Sequence, residues 1–311
     1  MNWGVRSNFT RLDVFAIGSK DGIVYNRWID DKEDWEDNDW VSIGENAGSP
    51  IATCSPFTTS LNLWSTAADS DDIIHSQWEQ KSDDEMNQEG LDGVSSEQGA
   101  FSRTRGGRWG TDLDRTSSAI HCIQRRGAAA EFDVVYYPKG GRQATVASWS
   151  GRDWSYKSLQ EGDWVGNPVL FNNDIVERWD FFGLQSDNEL YHSSWTPDNF
   201  PPMNRLGGKL ISWPTVISLG TDSYDVVALG SNGTLQHLNY DGNRWADEWE
   251  DLGIEVRSAP SARTHDNKVF LTAVAQNGSL MAWTRDNSTS RSWKDSLQVE
   301  DLGGDLSLEF L

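Results

Sequence analysis

Histidine occurs five times in this chain, and three of these residues stand at one recurring place. His75, His192 and His237 each precede an aromatic residue by three positions, in IHSQW, YHSSW and QHLNY, and Tyr25 has the same place in VYNRW. An imidazole can donate or accept a hydrogen bond, or move a proton near neutral pH. The repetition favours a structural role within each unit, and contact with a substrate is the alternative.

His121 stands apart from this set, because Cys122 follows it and Arg125 and Arg126 come shortly after. Imidazole and guanidinium groups can both donate hydrogen bonds to an oxygen on which negative charge develops. We therefore take His121 and Arg125 as candidate catalytic donors. This assignment requires a fold that brings their segment to a cavity.

Motifs of hydrolytic, redox and nucleotide chemistry are absent from the sequence. It contains no G-x-S-x-G, no HExxH, no paired CxxC, no phosphate loop and no dinucleotide fingerprint after a strand. The acidic cluster around Asp71 lies in a turn and lacks the spacing of a calcium loop. No cofactor and no metal site is therefore predicted.

The elements that carry these residues repeat six times. Each unit has a short apolar run, a turn rich in Gly, Asn or Asp, and a second apolar run, beginning at Leu12, Leu61, Phe132, Trp179, Tyr224 and Val269. Successive units are 49, 71, 47, 45 and 45 residues apart. Hairpins repeated with a period in the forties are typical of propeller blades. The sequence predicts an all-β fold, a six-bladed β-propeller in one domain over residues 1–311.

A further short run precedes most hairpins and is predicted to form the innermost strand of each blade, as in SSAIHCI around His121. This places His121 at the central channel. Residues 1–10 are too polar and irregular to supply that strand for the first blade. The C-terminal segment Leu306–Phe310 is predicted to supply it instead, so that the C-terminus closes the ring.

The spacing of 71 residues indicates an insertion of about 25 residues, predicted as a long surface loop over residues 81–110. Cys54 and Cys122 are too few for a disulfide framework. Both fall on predicted innermost strands of successive blades. We expect buried thiols there, with a disulfide or a reactive thiol as the alternatives.

The net charge of −22 argues against nucleic acid or an anionic membrane as a partner. No stretch approaches the length of a membrane span, and the N-terminal residues lack the apolar region of a signal peptide. A cytoplasmic location is expected. The sequence leaves the oligomeric state open.

Hairpins such as DVFAIGSKDGIVYNRW, followed by connections such as WEDLGIEVRSAP, resemble the blade repeats of the fungal fucose-specific lectins of the Aleuria type. In that family an Arg on the first hairpin strand and a Glu on the second bind fucose, and an aromatic residue of the adjoining blade stacks on the sugar. Aligned with the family, the Arg positions hold Asp13, Asn62, Asp133, Asp180, Asp225 and Phe270. The Glu positions hold Asn26, Ser76, Ala147, Ser193, Leu238 and Trp283.

No blade keeps the pair in this alignment, and a lectin gains avidity by repeating one site. Two functions therefore compete: a fucose- or glycan-binding lectin of altered specificity, and a cofactor-free fungal pericyclase resembling these lectins. The sequence favours the pericyclase, which would join a reactive quinone methide to a terpene alkene in an apolar pocket by a hetero-Diels–Alder reaction. The predicted partners are small apolar molecules. The predicted substrate-binding residues are Tyr25, Trp64, His75, His192 and Trp283.

Overall fold

A computed structural model describes most of the chain. The described residues are 2–5, 12–18, 23–29, 41–57, 60–67, 72–80, 101–108, 120–124, 131–150, 152–173, 178–196, 201–218, 222–265, 267–286 and 292–304. Within them lie six antiparallel sheets of four strands each, and every sheet is built from strands that are consecutive in sequence. The prediction of an all-β propeller is confirmed.

We call the sheets blades 1 to 6 in chain order. Blade 1 comprises β1 (Asn2–Val5), β2 (Leu12–Ile17), β3 (Ile23–Ile29) and β4 (Val41–Asn46), and blade 2 comprises β5 (Ala52–Phe57), β6 (Ser60–Thr66), β7 (Ile73–Gln80) and β8 (Phe101–Arg108). Blade 3 comprises β9 (His121–Gln124), β10 (Phe132–Tyr136), β11 (Gln143–Trp149) and β12 (Trp154–Glu161).

Blade 4 comprises β13 (Trp164–Asn173), β14 (Arg178–Gln185), β15 (Leu190–Trp195) and β16 (Asn204–Gly207). Blade 5 comprises β17 (Thr215–Ser218), β18 (Tyr224–Leu229), β19 (Thr234–Tyr240) and β20 (Glu250–Glu255). Blade 6 comprises β21 (Ser261–His265), β22 (Lys268–Val274), β23 (Leu280–Asp286) and β24 (Gln298–Gly303). One short helix, α1 (Trp293–Ser296), precedes β24. No helix among the described residues is long and apolar enough to cross a membrane.

The central hairpins form at the turns that the sequence indicates. Gly233 has a φ of 82° and Asn188 a φ of 63°, in the left-handed region that Gly and Asn adopt most readily. In blade 5 the turn joins β18 to β19, whose register runs from Tyr224 opposite Tyr240 to Leu229 opposite Leu235. All six residues of β18 are buried, as expected for a strand with sheets packed on both faces.

The first strand of each sheet contacts the first strands of the neighbouring blades, and β1 contacts both β5 and β21. These strands therefore line a ring around a central channel. The strand that completes blade 1 is β1, which pairs with β2 so that Trp3 lies opposite Val14. The prediction that residues 306–310 fill this place, and that 1–10 cannot, was wrong. Residues 306–310 lie outside the described residues.

The error has a physical reason. An innermost strand is held by backbone hydrogen bonds to its neighbour, which polar residues form as well as apolar ones. In blade 6 this place is taken by β21, whose sequence is SARTH. Polarity is therefore a poor criterion for excluding an innermost strand.

The connections between blades repeat a serine contact. Ser49, Ser212 and Ser258 each accept a hydrogen bond from a backbone N–H at the end of the second strand in the following blade, with N···O distances of 2.9, 2.9 and 2.8 Å. Each precedes a proline by one or two positions. These contacts fix the path by which the chain enters each innermost strand.

The wedges between adjacent sheets hold the hydrophobic core. One cluster joins blades 2 and 3 around Trp64 and Tyr136, and a second joins blades 4 and 5 around Phe182 and Tyr224. Further clusters lie between blades 3 and 4 and between blades 5 and 6. Aromatic side chains fill these wedges because their large apolar area suits a gap that widens outward.

Cys54 and Cys122 form a disulfide that links β5 of blade 2 to β9 of blade 3, with Cα atoms 5.6 Å apart. The expectation of buried free thiols was wrong. Both side chains are buried, as predicted, but the ring brings successive innermost strands close enough for the two sulfur atoms to bond.

The prediction of a surface loop over residues 81–110 was also wrong in part. Residues 101–108 form β8, the outer strand of blade 2, which pairs with β7. Its sequence FSRTRGGR lacks apolar alternation, and the outer strand of a sheet, which has one unpaired edge, does not require that pattern. Residues 81–100 lie outside the described residues.

Candidate functional site

The three recurring histidines lie on the third strands of their blades and bond to the second strands. Nε2 of His75, His192 and His237 lies 2.7 Å from Oδ1 of Asn62, Asp180 and Asp225, respectively. All three rings are buried. The partners are 12 or 13 positions apart in sequence because the hairpin folds them onto the same face of the sheet.

The strand registers correct two sequence assignments. In blade 4, His192 pairs with the residue two positions after Asp180. In blade 1, the residue two positions after Asp13 pairs with Asn26, and Tyr25 pairs with the next residue, Ala16. By this register Asn26, and not Tyr25, occupies the histidine position of blade 1. In blades 2 to 6 the residues aligned with the family's Glu lie one position beyond the residues that share a face with the aligned Arg positions. The residues that share a face with the aligned Arg positions are Asn26, His75, Val146, His192, His237 and Ala282.

The carboxylate of Asp180 lies at the centre of a buried network between blades 4 and 5. It accepts hydrogen bonds from His192, from the Ser194 hydroxyl, from Arg178 at 3.0 Å and from the Tyr224 hydroxyl of the next blade at 3.2 Å. Burial acts to raise the pKa of Asp180, but these donors outweigh it and hold the pKa below its ordinary value. Asp180 is therefore an ionised structural carboxylate.

Arg178 extends the network toward the surface. It donates to Asp222 at 2.6 Å and to the Tyr224 hydroxyl at 3.0 Å. Burial of the Arg178 guanidinium acts to lower its pKa. The hydrogen bond to Asp222 and the charge of Asp180 outweigh this effect, so the pKa of Arg178 lies above its ordinary value. The Trp245 ring closes the cluster, with its centroid 5.2 Å from that of His192.

Blade 5 repeats the arrangement toward blade 6. Asp225 accepts from His237, from the Asn239 amide at 2.9 Å and from the Trp293 indole at 2.9 Å. The Trp293 ring stacks on His237 at a centroid distance of 4.8 Å. The other ring nitrogen of His237 lies 3.0 Å from Glu250.

A third junction follows the same rule with a shorter network. Asp133 of blade 3 accepts a hydrogen bond of 3.2 Å from the Trp179 indole of blade 4. Asp133, Asp180 and Asp225 are at most 1% exposed. At these three junctions the carboxylate is thus used to hold an aromatic residue of the next blade, and a ligand has no access to it.

The predicted substrate-binding residues belong to the same buried layers. Trp64 is 0% exposed and stacks on His75 at 4.1 Å, and Trp283 lies in the core between blades 5 and 6. His75 and His192 are paired as described above. The Tyr25 side chain and all of Arg125 lie outside the described residues. Of the predicted residues that the structure describes, Trp64 and His75 lie in blade 2, His192 in blade 4 and Trp283 in blade 6.

His121 lies on β9, the innermost strand of blade 3, and is half-buried. Its Nδ1 accepts a hydrogen bond of 3.4 Å from the backbone N–H of Leu170 on the innermost strand of blade 4. Thr215 makes the corresponding contact from blade 5 to Ala262 of blade 6, at 3.0 Å. His121 therefore helps to join two innermost strands.

Burial of the ring, with a smaller effect from the positive charge of Arg263, lowers the pKa of His121 to about 4. The imidazole is neutral at pH 7. Since Nδ1 accepts a hydrogen bond, the proton is assigned to Nε2, which is then a neutral donor. Sequence reasoning identified His121 but missed Arg263, because its segment SARTH carries no motif.

Among the described residues, no group of three or more His, Cys, Asp or Glu side chains is arranged to hold a metal ion.

The fold can be compared with known proteins. No family model and no curated protein sequence matches the chain. Among solved structures, AofleA from Arthrobotrys oligospora superposes with a TM-score of 0.68 at 12% identity, covering 97% of this chain and 86% of that one.

The fungal lectin of Aleuria aurantia, described as a six-bladed β-propeller with a novel fucose recognition mode, gives a TM-score of 0.65 at 12% identity, covering 98% and 95%. The BP39L lectin from Burkholderia pseudomallei gives 0.61 at 14%, covering 94% and 82%. At such identities the similarity shows the fold alone. The chain has the β-propeller fold that these lectins have.

Proposed function

We propose that this lectin-like propeller is a cofactor-free pericyclase that acts on small apolar molecules in its ring. It would join a quinone methide to a terpene alkene by a hetero-Diels–Alder reaction. The observation that carries the proposal is the use of Asp133, Asp180 and Asp225 as internal hydrogen-bond acceptors between blades. We therefore assign ligand binding to the channel and not to the junctions between blades. The neutral Nε2–H of His121 is the proposed donor there.

The corrected registers support the same proposal. Neither the aligned Arg positions nor the residues that share a face with them hold an Arg or a Glu in any of the six blades. A closed six-bladed ring without the repeated fucose site is the architecture that we propose.

The proposed chemistry requires little from the protein. Holding two reactants in a near-attack geometry can contribute about 7–11 kcal/mol in favourable cases. A donor placed where charge develops on the quinone methide oxygen contributes further stabilisation of the transition state. His121 is the described residue that fits this role, and Arg125 remains a second candidate.

The direct test incubates a generated quinone methide with a terpene alkene, with and without protein, and measures the rate and the product enantiomeric ratio. We expect a faster reaction and an enantiomeric excess. The H121A variant should be slower by about 100-fold, as for loss of an oxyanion-hole donor, and H121Q, which keeps a donor, should be affected less. Racemic product at the uncatalysed rate across several partners would contradict the proposal.

A glycan-binding function is the second candidate, favoured by the fold. A mutant of the Aleuria aurantia lectin has been solved in complex with alpha-methyl-L-fucoside, and this chain shares its propeller architecture. The location is a further proposal. A cytoplasmic location follows from the pericyclase assignment, and the Cys54–Cys122 disulfide weighs against it, because disulfides are rare in reducing compartments.

A further inference from the structure

Arg263 is a cation whose surroundings differ from those of Arg178. It lies on β21, the innermost strand of blade 6, which is flanked by β1 of blade 1 and β17 of blade 5. Its side chain is nevertheless exposed. Since neighbouring blades cover both faces of an innermost strand, solvent reaches Arg263 from the channel.

The guanidinium also has no hydrogen-bond or ion-pair partner among the described residues. Arg178, by contrast, bonds Asp180 and Asp222, and Arg142 bonds Asp163. No hydrogen bond or ion pair joins Arg263 to any other residue in the part of the chain that the structure describes. Desolvation lowers the pKa of Arg263, and no carboxylate among those residues offsets this effect.

His121 occupies the opposite side of the same ring, on blade 3, and the charge of Arg263 acts on it. The Leu170 N–H holds its Nδ1, so that Nε2 carries the proton. The channel thus has a cationic fork on one side and a neutral donor on the other. Neither group has an acceptor among the described residues, which is the arrangement that an anion would complete.

We infer that Arg263 and His121 form a carboxylate-binding site in the central channel. The planar guanidinium presents two parallel N–H donors that match the two oxygens of a carboxylate, a fit that a Lys would not offer. A partly desolvated site is screened by salt less than a surface site. The ligand is a small organic acid.

The inference rests on the same choice of the channel as the proposed function, but it does not require the pericyclic reaction. A protein that binds a carboxylate there need not catalyse anything. Binding is therefore measured without turnover, so that failure of the catalytic assay and failure of this inference are distinguishable.

The experiment titrates the whole chain with sodium benzoate by calorimetry, with benzamide as the neutral probe of the same shape. We expect benzoate to bind at a single site and benzamide to bind at least tenfold more weakly. R263Q should weaken benzoate binding by about tenfold or more, and R263K should retain part of the affinity. R152Q removes the same charge from an exposed surface position and should leave binding unchanged.

Three results would overturn the inference: equal affinity for benzoate and benzamide, wild-type affinity in R263Q, or displacement of benzoate by a lower concentration of inorganic phosphate. Circular dichroism and a melting curve establish that each variant is folded. If R263Q fails to fold, ¹⁵N-histidine NMR of the wild-type protein replaces it. Benzoate should then shift the His121 Nε2 resonance, and an unchanged resonance at saturating benzoate would contradict the site.

Discussion

The carboxylate of Asp225 in blade 5 accepts a hydrogen bond of 2.9 Å from the indole of Trp293, 68 positions later and in the next blade. The same carboxylate bonds His237 of its own blade. One side chain therefore joins the third strand of its own blade to an aromatic side chain of the following blade. Asp180 and Asp133 make corresponding contacts at the two preceding junctions.

Replacing Asp225 should destabilise the protein strongly. In D225A, the His237 ring, the Asn239 amide and the Trp293 indole lose their buried acceptor. We expect a loss of about 3 kcal/mol or more in the free energy of unfolding, measured by urea denaturation. The control is D153A, since Asp153 is exposed and pairs only loosely with Arg152. Equal effects of the two substitutions would show that the junction network contributes little.

Reduction of the disulfide should lower stability. Cys54 and Cys122 are 68 positions apart, and the chain-entropy treatment gives about 4 kcal/mol for a loop of this size, with 2–4 kcal/mol typical. Urea denaturation with and without reductant measures the difference. The double variant C54A/C122A provides the control, because its midpoint should not respond to reductant. Detection of two free thiols in the unreduced, denatured protein would contradict the bond.

Loss of the N-terminal strand should open the ring. Deleting residues 1–5 removes β1, and with it the contacts to β2, β5 and β21. We expect a large fall in melting temperature, because β2 loses its hydrogen-bonded neighbour and its edge becomes unpaired, while β5 and β21 lose their contacts with β1. The comparison is truncation after Gly304, which removes the segment to which the sequence had assigned this role. A larger fall in melting temperature after the C-terminal truncation than after the N-terminal one would show that the C-terminus closes the ring.

The stability of the protein should depend on pH through His121. Its pKa is about 4 in the folded protein and close to 6.5 when unfolded. Between these values the unfolded state binds the proton more readily, so stability falls as pH drops from about 6.5 to about 4. The full effect is about 3 kcal/mol. H121Q should flatten the profile in this window, and an NMR titration that places the His121 pKa near 6.5 would refute the assignment.

The sequence predicted the repeated hairpins because alternation and Asn-Gly turns are local signals, as in β18 and β19. It also predicted that a histidine position recurs, with a structural role favoured by the repetition and substrate contact as the alternative, and it counted His75 and His192 among the substrate-binding residues. The pairing of His192 with Asp180 was missed although the spacing of 12 recurs in blades 4 and 5. A shift of one residue in the aligned third strand placed the two on opposite faces.

Other features depend on contacts between blades and have no local signal. The Cys54–Cys122 bond and the His121–Leu170 contact both join neighbouring blades. The inner strand β1 was excluded on its polarity, which backbone pairing does not require. Arg263 acquires its place in the channel only when blade 6 meets blade 1.

The central claim is that the positions between blades hold the ring together and do not bind sugar. Calorimetric titration with alpha-methyl-L-fucoside, the ligand seen with the Aleuria aurantia lectin, tests this claim most directly. We predict no binding at repeated sites, because the carboxylates of Asp133, Asp180 and Asp225 are buried and already accept internal hydrogen bonds. Saturable binding of several fucosides per chain would contradict the account.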